Sequence, residues 1–328
     1  MTSLRVVIGV PTFNGSWRLG NLLKSIWLRT PELGRGEARV VVVDDGSPTV
    51  EQTRKVIEEW RGKIPLDYVE HGTNRGISAG WNTVSRMHES EYVVLANDDV
   101  VVPSANLPVV SWLDPMLHVL ENSPGVGVVG PNWHAFTADD VPKLLESRDS
   151  DKEVVPRDPV SKAPTPSRRD LEPCDPGRVM APGGQLFAFR RADFDAIGGF
   201  DEGFKSFFEE SSLGTSMCAG RRSGSEPQTF KPMIGVGLNW AQPFHMWSQT
   251  FKENPQLDAD ERMRASRTHY YQKWCVPGHY SNPFDYTNPT FLGSIGDVEI
   301  KFLRGVTGER WRAVLRQDGA CVDQRRDG

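Results

Sequence analysis

The chain predicts an α/β fold with a Rossmann-like, mostly parallel central sheet and helices on both faces. Three observations carry this. Short β-branched runs alternate with stretches of helical spacing through residue 130. Two of those runs, Val40-Val41-Val42-Val43 and Tyr92-Val93-Val94-Leu95, are continuous apolar segments, as buried parallel strands are. Each delivers acidic groups at its end, Asp44-Asp45-Gly46-Ser47 and Asn97-Asp98-Asp99. An open sheet presents polar side chains to a ligand in this way, in the crevice at its carboxyl edge. The plainer reading is that each acidic pair only caps the next helix or turn.

The elements follow in order. Residues 4–10 predict the first strand and 17–28 an amphipathic helix. Residues 40–43 and 66–69 predict further strands, with helices over 50–60 and 77–88. Residues 92–95 give the fourth strand, 107–120 a helical stretch, and 126–129 another apolar run. Residues 137–178 are dominated by Lys, Arg, Asp, Glu, Ser and Pro, and predict a long polar loop. Order resumes with an alternating strand over 183–189 and a helix over 191–197 that stops at Gly198-Gly199. Residues 209–221 and 259–274 read as helices and 233–238 as a short strand. The tail after Cys275 reads as irregular, with the charged stretch 323–327 fraying. The implied organisation is a main domain over 1–250 and a C-terminal helical and irregular extension over 251–328 packed on it.

Bulk composition narrows the function. A chain of 328 residues can bury a sizeable core. A net charge of −5 leaves no global basic field, so polyanion binding would need a local patch. The four cysteines (Cys174, Cys218, Cys275, Cys321) are far apart, which argues against a zinc or redox pair and fits reduced thiols in the cytoplasm. No apolar stretch is long enough to span a membrane, and the first strand begins too early for a signal peptide.

Several short motifs carry chemistry. Pro11-Thr12-Phe13-Asn14-Gly15 follows the first strand, where Thr12 and Asn14 offer polar groups to a base or ribose; a plain turn has the same spelling. Arg75-Gly76 opens the third helix, and either meets a phosphate or packs a glycine-rich helix start on the sheet. Asn97-Asp98-Asp99 suits a hard divalent cation that shares its coordination with nucleotide phosphates. His245 is a second candidate ligand, or a structural histidine. Glu209 and Glu210 follow an aromatic pair at a helix start. An apolar neighbour and a like charge both favour a general base there, although acidic residues also simply complement a helix dipole. The GxGxxG match at 125–130 lies in an apolar strand with no helix after it and is rejected as a dinucleotide site. No P-loop and no nucleophile elbow is present.

As an ordered set, Val10 to Gly15, Asp44-Asp45-Gly46-Ser47, Asn74 to Asn82, Asn97-Asp98-Asp99 and Gly198-Gly199-Phe200-Asp201-Glu202 followed by Phe208-Glu209-Glu210 resemble family 2 glycosyltransferases with the GT-A fold. The resemblance implies a metal-dependent, inverting transfer of one sugar from a nucleoside diphosphate sugar, most commonly of UDP, to an acceptor hydroxyl. By position it assigns Pro11, Thr12, Asn14, Asp44 and Asp45 to the nucleoside, Asn97 and Asp98 to the ribose and diphosphate, and Asp99 to Mn²⁺ or Mg²⁺. Arg75 and Gly76 at the nucleotide and His245 at the metal remain the candidates read from the residues above. Glu210 falls where the family places its base, with Glu209 beside it, and Gly183, Gly184 and Trp247 would lie against donor or acceptor sugar. The polymerising enzymes' QxxRW motif is absent. The segment from His245 to Phe251 is similar to bacteriophage-encoded members. This makes hydroxymethylated DNA one candidate acceptor beside protein, lipid and glycan, in the host cytoplasm and with no membrane or obligate protein partner. A sugar nucleotidyltransferase is the rival enzyme class.

Overall fold

A computed structural model describes residues 4–102, 111–131, 134–135, 184–223, 226–231, 233–238, 243–246 and 249–274, and four short strands between 293 and 325. The expected 137–178 loop, Gly183 and Trp247 lie outside the described residues.

Strands β1 (Val6–Thr12), β2 (Ala38–Asp44), β3 (Leu66–Glu70) and β4 (Tyr92–Ala96) pair in parallel, with β1 between β2 and β4. Helices α1 (Ser16–Arg29), α3 (Val50–Arg61) and α4 (Ile77–Arg86) connect them, and a single turn, α2 (Pro31–Gly34), follows α1. The alternation of side chains along the strands splits the core in two. Val6, Ile8, Val10, Val40 and Val42 pack with Leu19, Leu22, Leu23 and Ile26 of α1 and with Ile57 and Trp60 of α3. Val7, Val41 and Val43 pack with Trp81 and Val84 of α4 on the other face. Burying each such side chain contributes roughly 1.5–3 kcal/mol, and the two-sided demand is why these strands are unbroken apolar runs.

Past β4 the sheet becomes mixed. A two-residue strand β5 (Val100–Val101) leads on to α5 (Asp114–Asn122), β6 (Val126–Pro131) and β7 (His134–Ala135). After them come β8 (Leu186–Arg190), α6 (Arg191–Ile197), α7 (Glu209–Ala219) and β9 (Ile234–Leu238). The seven-stranded order is β3-β2-β1-β4-β8-β6-β9, with β8 antiparallel to both β4 and β6. Strand β10 (Phe244–His245) joins β5 and β7 in a small second sheet. Helices α8 (Gln249–Glu253) and α9 (Ala259–Trp274) close the described core.

Three expectations need correction. Within the described part of 107–120, the helix begins only at Asp114. Ser111 first makes a turn in which its N–H donates to Asp114 Oδ2 at 2.9 Å, and proline occupies the first helical turn. The helix expected over 209–221 stops at Ala219, because Gly220 takes a left-handed φ of 62° and closes the last turn. Of the charged stretch expected to fray, the described residues 323–325 are paired: Cys321–Arg325 runs antiparallel to Trp311–Leu315, within a four-stranded sheet that also holds Gly293–Ile295 and Val298–Glu299. Backbone pairing across that sheet satisfies N–H and C=O groups that a tail would leave to water. The rejected glycine motif runs into β6, where a Cβ on Gly127 would meet the Met217 sulfur at 2.9 Å; close packing explains that glycine.

Candidate active site

The chain passes from β1 to β2 and β3 on one side, then returns to β4 on the other side of β1. This reversal opens a crevice at the carboxyl edge, the usual ligand position in such sheets. A cavity of about 740 Å³ occupies it, and Thr12, Asp45, Asp99, His245, Glu209 and Glu210 all line it.

The tip of β2 is held by backbone. Asp44 is fully buried and takes the Ser47 N–H on Oδ1 at 2.7 Å. Asp45 receives the N–H groups of Arg75 (2.9 Å, Oδ1) and Gly76 (2.8 Å, Oδ2), and the His71 ring places Nδ1 2.7 Å from Oδ1. Gly76 stands at φ 94°, where an added Cβ would lie 2.7 Å from the Lys205 backbone; only glycine fits this bend.

The tip of β4 is held by charge. Asp98 accepts from the Thr12 hydroxyl at 2.6 Å and from Arg18 Nε at 3.2 Å, and Arg18 also pairs with Glu253. The Arg18 side chain is fully buried, so the ion pair is shielded from water. Burial pushes the Asp98 carboxyl upward against the pull of the Arg18 guanidinium, and neighbouring Asp99 adds to the rise. Gly15 is glycine because a Cβ there would meet Asp98 Oδ2 at 2.0 Å. Asp99, one residue on, faces the cavity. The antiparallel β5/β10 pairing sets His245 opposite Val100, which brings His245 Nε2 to 3.2 Å from Asp99 Oδ1.

Glu209 and Glu210 open α7. Phe207 and Phe208 before them both adopt a left-handed φ of 65°, which is costly for bulky residues and persists only where packing enforces it. Here Phe207 stacks on Phe251 of α8 with centroids 5.1 Å apart, and Phe208 packs against Tyr270 of α9 at 5.3 Å. One oxygen of each glutamate, Oε2, is buried without a hydrogen-bond partner among the described residues. Burial raises both carboxyl pKa values, Glu209 furthest because the Glu210 charge adds to the effect. Antiparallel β8 delivers Gly184 beside them: a Cβ there would sit 3.7 Å from the Glu210 carboxyl carbon and 3.5 Å from Trp81.

Of the residues expected at the nucleotide, Pro11, Thr12, Asp45, Gly76, Asn97 and Asp98 line the cavity together with Gly184. Asn14, Asp44 and Arg75 do not. The Asn14 side chain accepts from the Thr49 hydroxyl at 2.6 Å and donates to Asn254 at 2.8 Å. The Arg75 guanidinium reaches out to Glu202 at 2.9 Å. These three side chains build the frame. The segment expected to pack on the main domain also supplies cavity wall, through Phe251, Leu257, Arg262 and Met263. Sequence reading also missed Arg18 and Gln185. Helical arginines pass for solvated charge, and the Gln185 carbonyl is engaged by Asn97 N–H at 2.9 Å only because β8 runs antiparallel.

A switch-point crevice with two acidic strand tips and a carboxylate pair at a helix start defines a GT-A glycosyltransferase. The family model for glycosyl transferase family 2 matches residues 7–198, more than half the chain, and the chain belongs to that family of enzymes. Among solved structures it is similar to the mannosyltransferase PcManGT from Pyrobaculum calidifontis in complex with GDP-Man and Mn²⁺. The two are 16% identical over 87% of this chain and 72% of that one, with a TM-score of 0.53. It is also similar to S. aureus TarS 1-349, at 19% identity, 87% and 73% coverage and a TM-score of 0.49, a protein also solved with UDP-GlcNAc. At such identities the likeness reports fold alone. No curated protein sequence matches the chain.

Proposed function

We propose that this glycosyltransferase moves a single sugar from a nucleoside diphosphate sugar, a UDP-sugar foremost, to an acceptor hydroxyl with inversion at the anomeric carbon. The observation that carries the reading is that Asp45, Asp99, His245 and the Glu209–Glu210 pair all line one cavity.

Asp45 and Thr12 serve the nucleoside end. Asp99 and His245 offer a carboxylate oxygen and an imidazole nitrogen side by side, a donor set that fits Mn²⁺ or Mg²⁺ completed by phosphate oxygens and water. That fit accords with the Mn²⁺ in the PcManGT complex. The ion's contribution when bound is to neutralise charge on the departing diphosphate. Glu210 takes the proton from the acceptor hydroxyl. The freed oxygen bonds to the anomeric carbon from the far side, and the bond to the diphosphate oxygen breaks with its electron pair leaving on the diphosphate. Burial raises the Glu210 carboxyl above the ordinary glutamate range, which suits it to holding that proton. Gly184 and Gln185 ahead of β8, with Ile77 of α4, wall the cavity where the sugar is positioned, and in-line placement supplies much of the acceleration.

The test is to incubate the full chain with Mn²⁺ and a panel of nucleotide sugars. Acceptors offered in turn are hydroxymethylated DNA, glycans, lipids and proteins, and product anomers are read by NMR. Release of nucleoside diphosphate with an inverted glycoside is expected. Pyrophosphate released from a nucleoside triphosphate and a sugar phosphate would establish a nucleotidyltransferase instead, and a retained anomer would remove the inverting step.

A further inference from the structure

Resting on that reading, the structure assigns Arg262 of α9 a task beyond it: we infer that Arg262 and Asp45 together read the donor's nucleobase, selecting bases that carry a ring N–H beside a carbonyl. Arg262 lines the same cavity as Asp45, close enough for the Asp45 charge to act on it. It is held there by three contacts. Its Nε–H donates to the Leu257 carbonyl at 3.1 Å, one Nη2–H donates to Asn74 Oδ1 at 3.0 Å, and Nη1 lies 3.5 Å from the Ser206 hydroxyl. Asn74 in turn donates to the Asp45 carbonyl at 3.3 Å, so one amide ties the cation to the acidic tip.

The inventory leaves donors on Arg262 and an acceptor on Asp45, two residues of one cavity wall. A guanidinium carries five N–H groups, so two remain beyond these contacts, and no carboxylate among the described residues lies within ion-pair distance. An ionised carboxylate offers about four lone-pair positions. Asp45 spends two on Oδ1 and one on Oδ2, so an Oδ2 position is open. A donor beside an acceptor is the complement of uracil, thymine and guanine, whose ring N–H adjoins a carbonyl. Cytosine and adenine present the inverse pattern, a bare ring nitrogen beside an amino group, and would set donor against Arg262 and lone pair against Asp45. Leaving such buried groups unpaired is what makes polar discrimination strong. The side chain expected from sequence at this end, Arg75, is turned away to Glu202.

Calorimetric titration of the full chain with UDP, dTDP, GDP, CDP and ADP in Mn²⁺ tests this on wild type, Arg262→Gln and Arg262→Lys. Wild type should bind the first three at least about tenfold tighter than CDP and ADP, and N3-methyl-UDP about as weakly as CDP. Arg262→Gln should erase most of that preference while CDP and ADP affinities hold, and Arg262→Lys, which keeps charge without the fork, should fall between. Equal loss for all five nucleotides, with weaker pyrophosphate binding, would mean that Arg262 holds phosphate, and the inference falls. It also falls if wild type shows no base preference, a result that needs no variant to fold. Absence of any nucleotide binding by wild type would instead overturn the proposed function.

Discussion

The two acidic strand tips look alike in sequence and are built differently. At the end of β2, Asp45 is met by two backbone N–H groups and a histidine ring. At the end of β4, Asp98 is met by the buried Arg18 guanidinium, while Asp99 beside it meets His245 at the cavity wall. In each pair one carboxylate is spent on architecture (Asp44 on the Ser47 turn, Asp98 on Arg18), and the next is turned to the cavity. The difference lies in what the second carboxylate can still do. Asp45 has little capacity left beyond one hydrogen bond. Asp99 stands next to a charge already compensated by Arg18, which suits the cation site proposed there.

Charge substitutions separate the two tips. Arg18→Gln should cost the most stability, roughly 3–5 kcal/mol, because it strands Asp98 in a buried site. Denaturant unfolding should show it, with part of the loss restored when Asp98→Asn is added; a cost below about 1 kcal/mol would mean that the tip does not depend on the pair. Asp99→Asn should leave the unfolding midpoint unchanged and lower kcat/KM by about 10²-fold or more at saturating Mn²⁺. Asp45→Asn should do the reverse, costing roughly 1.5–3 kcal/mol of stability through weakened charged hydrogen bonds and acting on KM more than kcat. Equal kinetic profiles for the two variants would erase the distinction.

The smallest effect is in the pH profile. Glu209 and Glu210 titrate above the ordinary glutamate range in the folded chain. Folded protein therefore keeps protons that unfolded protein has released, so their contribution to stability is full at low pH and is lost as pH rises through the raised values. On the proposed mechanism transfer needs Glu210 ionised, so the rate should climb over the same window while the melting temperature declines. Glu210→Gln should abolish transfer with nucleotide-sugar binding near normal, and should flatten much of the stability slope. Turnover close to wild type would remove Glu210 as the base.

Much of this was legible because the signals are local. Unbroken valine runs mark strands covered on both sides, and acids after them mark the ligand edge. What escaped depends on partners distant in sequence. Strand β8 spells an ordinary alternating strand, and nothing in Leu186 to Phe189 tells that it runs against β4. Strands β5, β7 and β10 are two residues each, too short for any periodicity, yet their pairing is what brings His245 to Asp99. Arg18 and Arg262 sit on helices where charge is ordinary, and only the folded chain shows one fully buried and the other in the cavity wall. Arg75 shows the converse: its backbone N–H meets Asp45 while its side chain pairs with Glu202.

The paired phenylalanines ahead of α7 make the proposed reaction centre a mortgage held by the chain's far end. Two aromatic rings in a backbone shape they would not choose stay there because Phe251 and Tyr270 clamp them. Anyone transplanting Glu209 and Glu210 into another scaffold should carry both clamps along. Without them the kink would relax, and the acids would swing off target although every acidic residue had been copied faithfully.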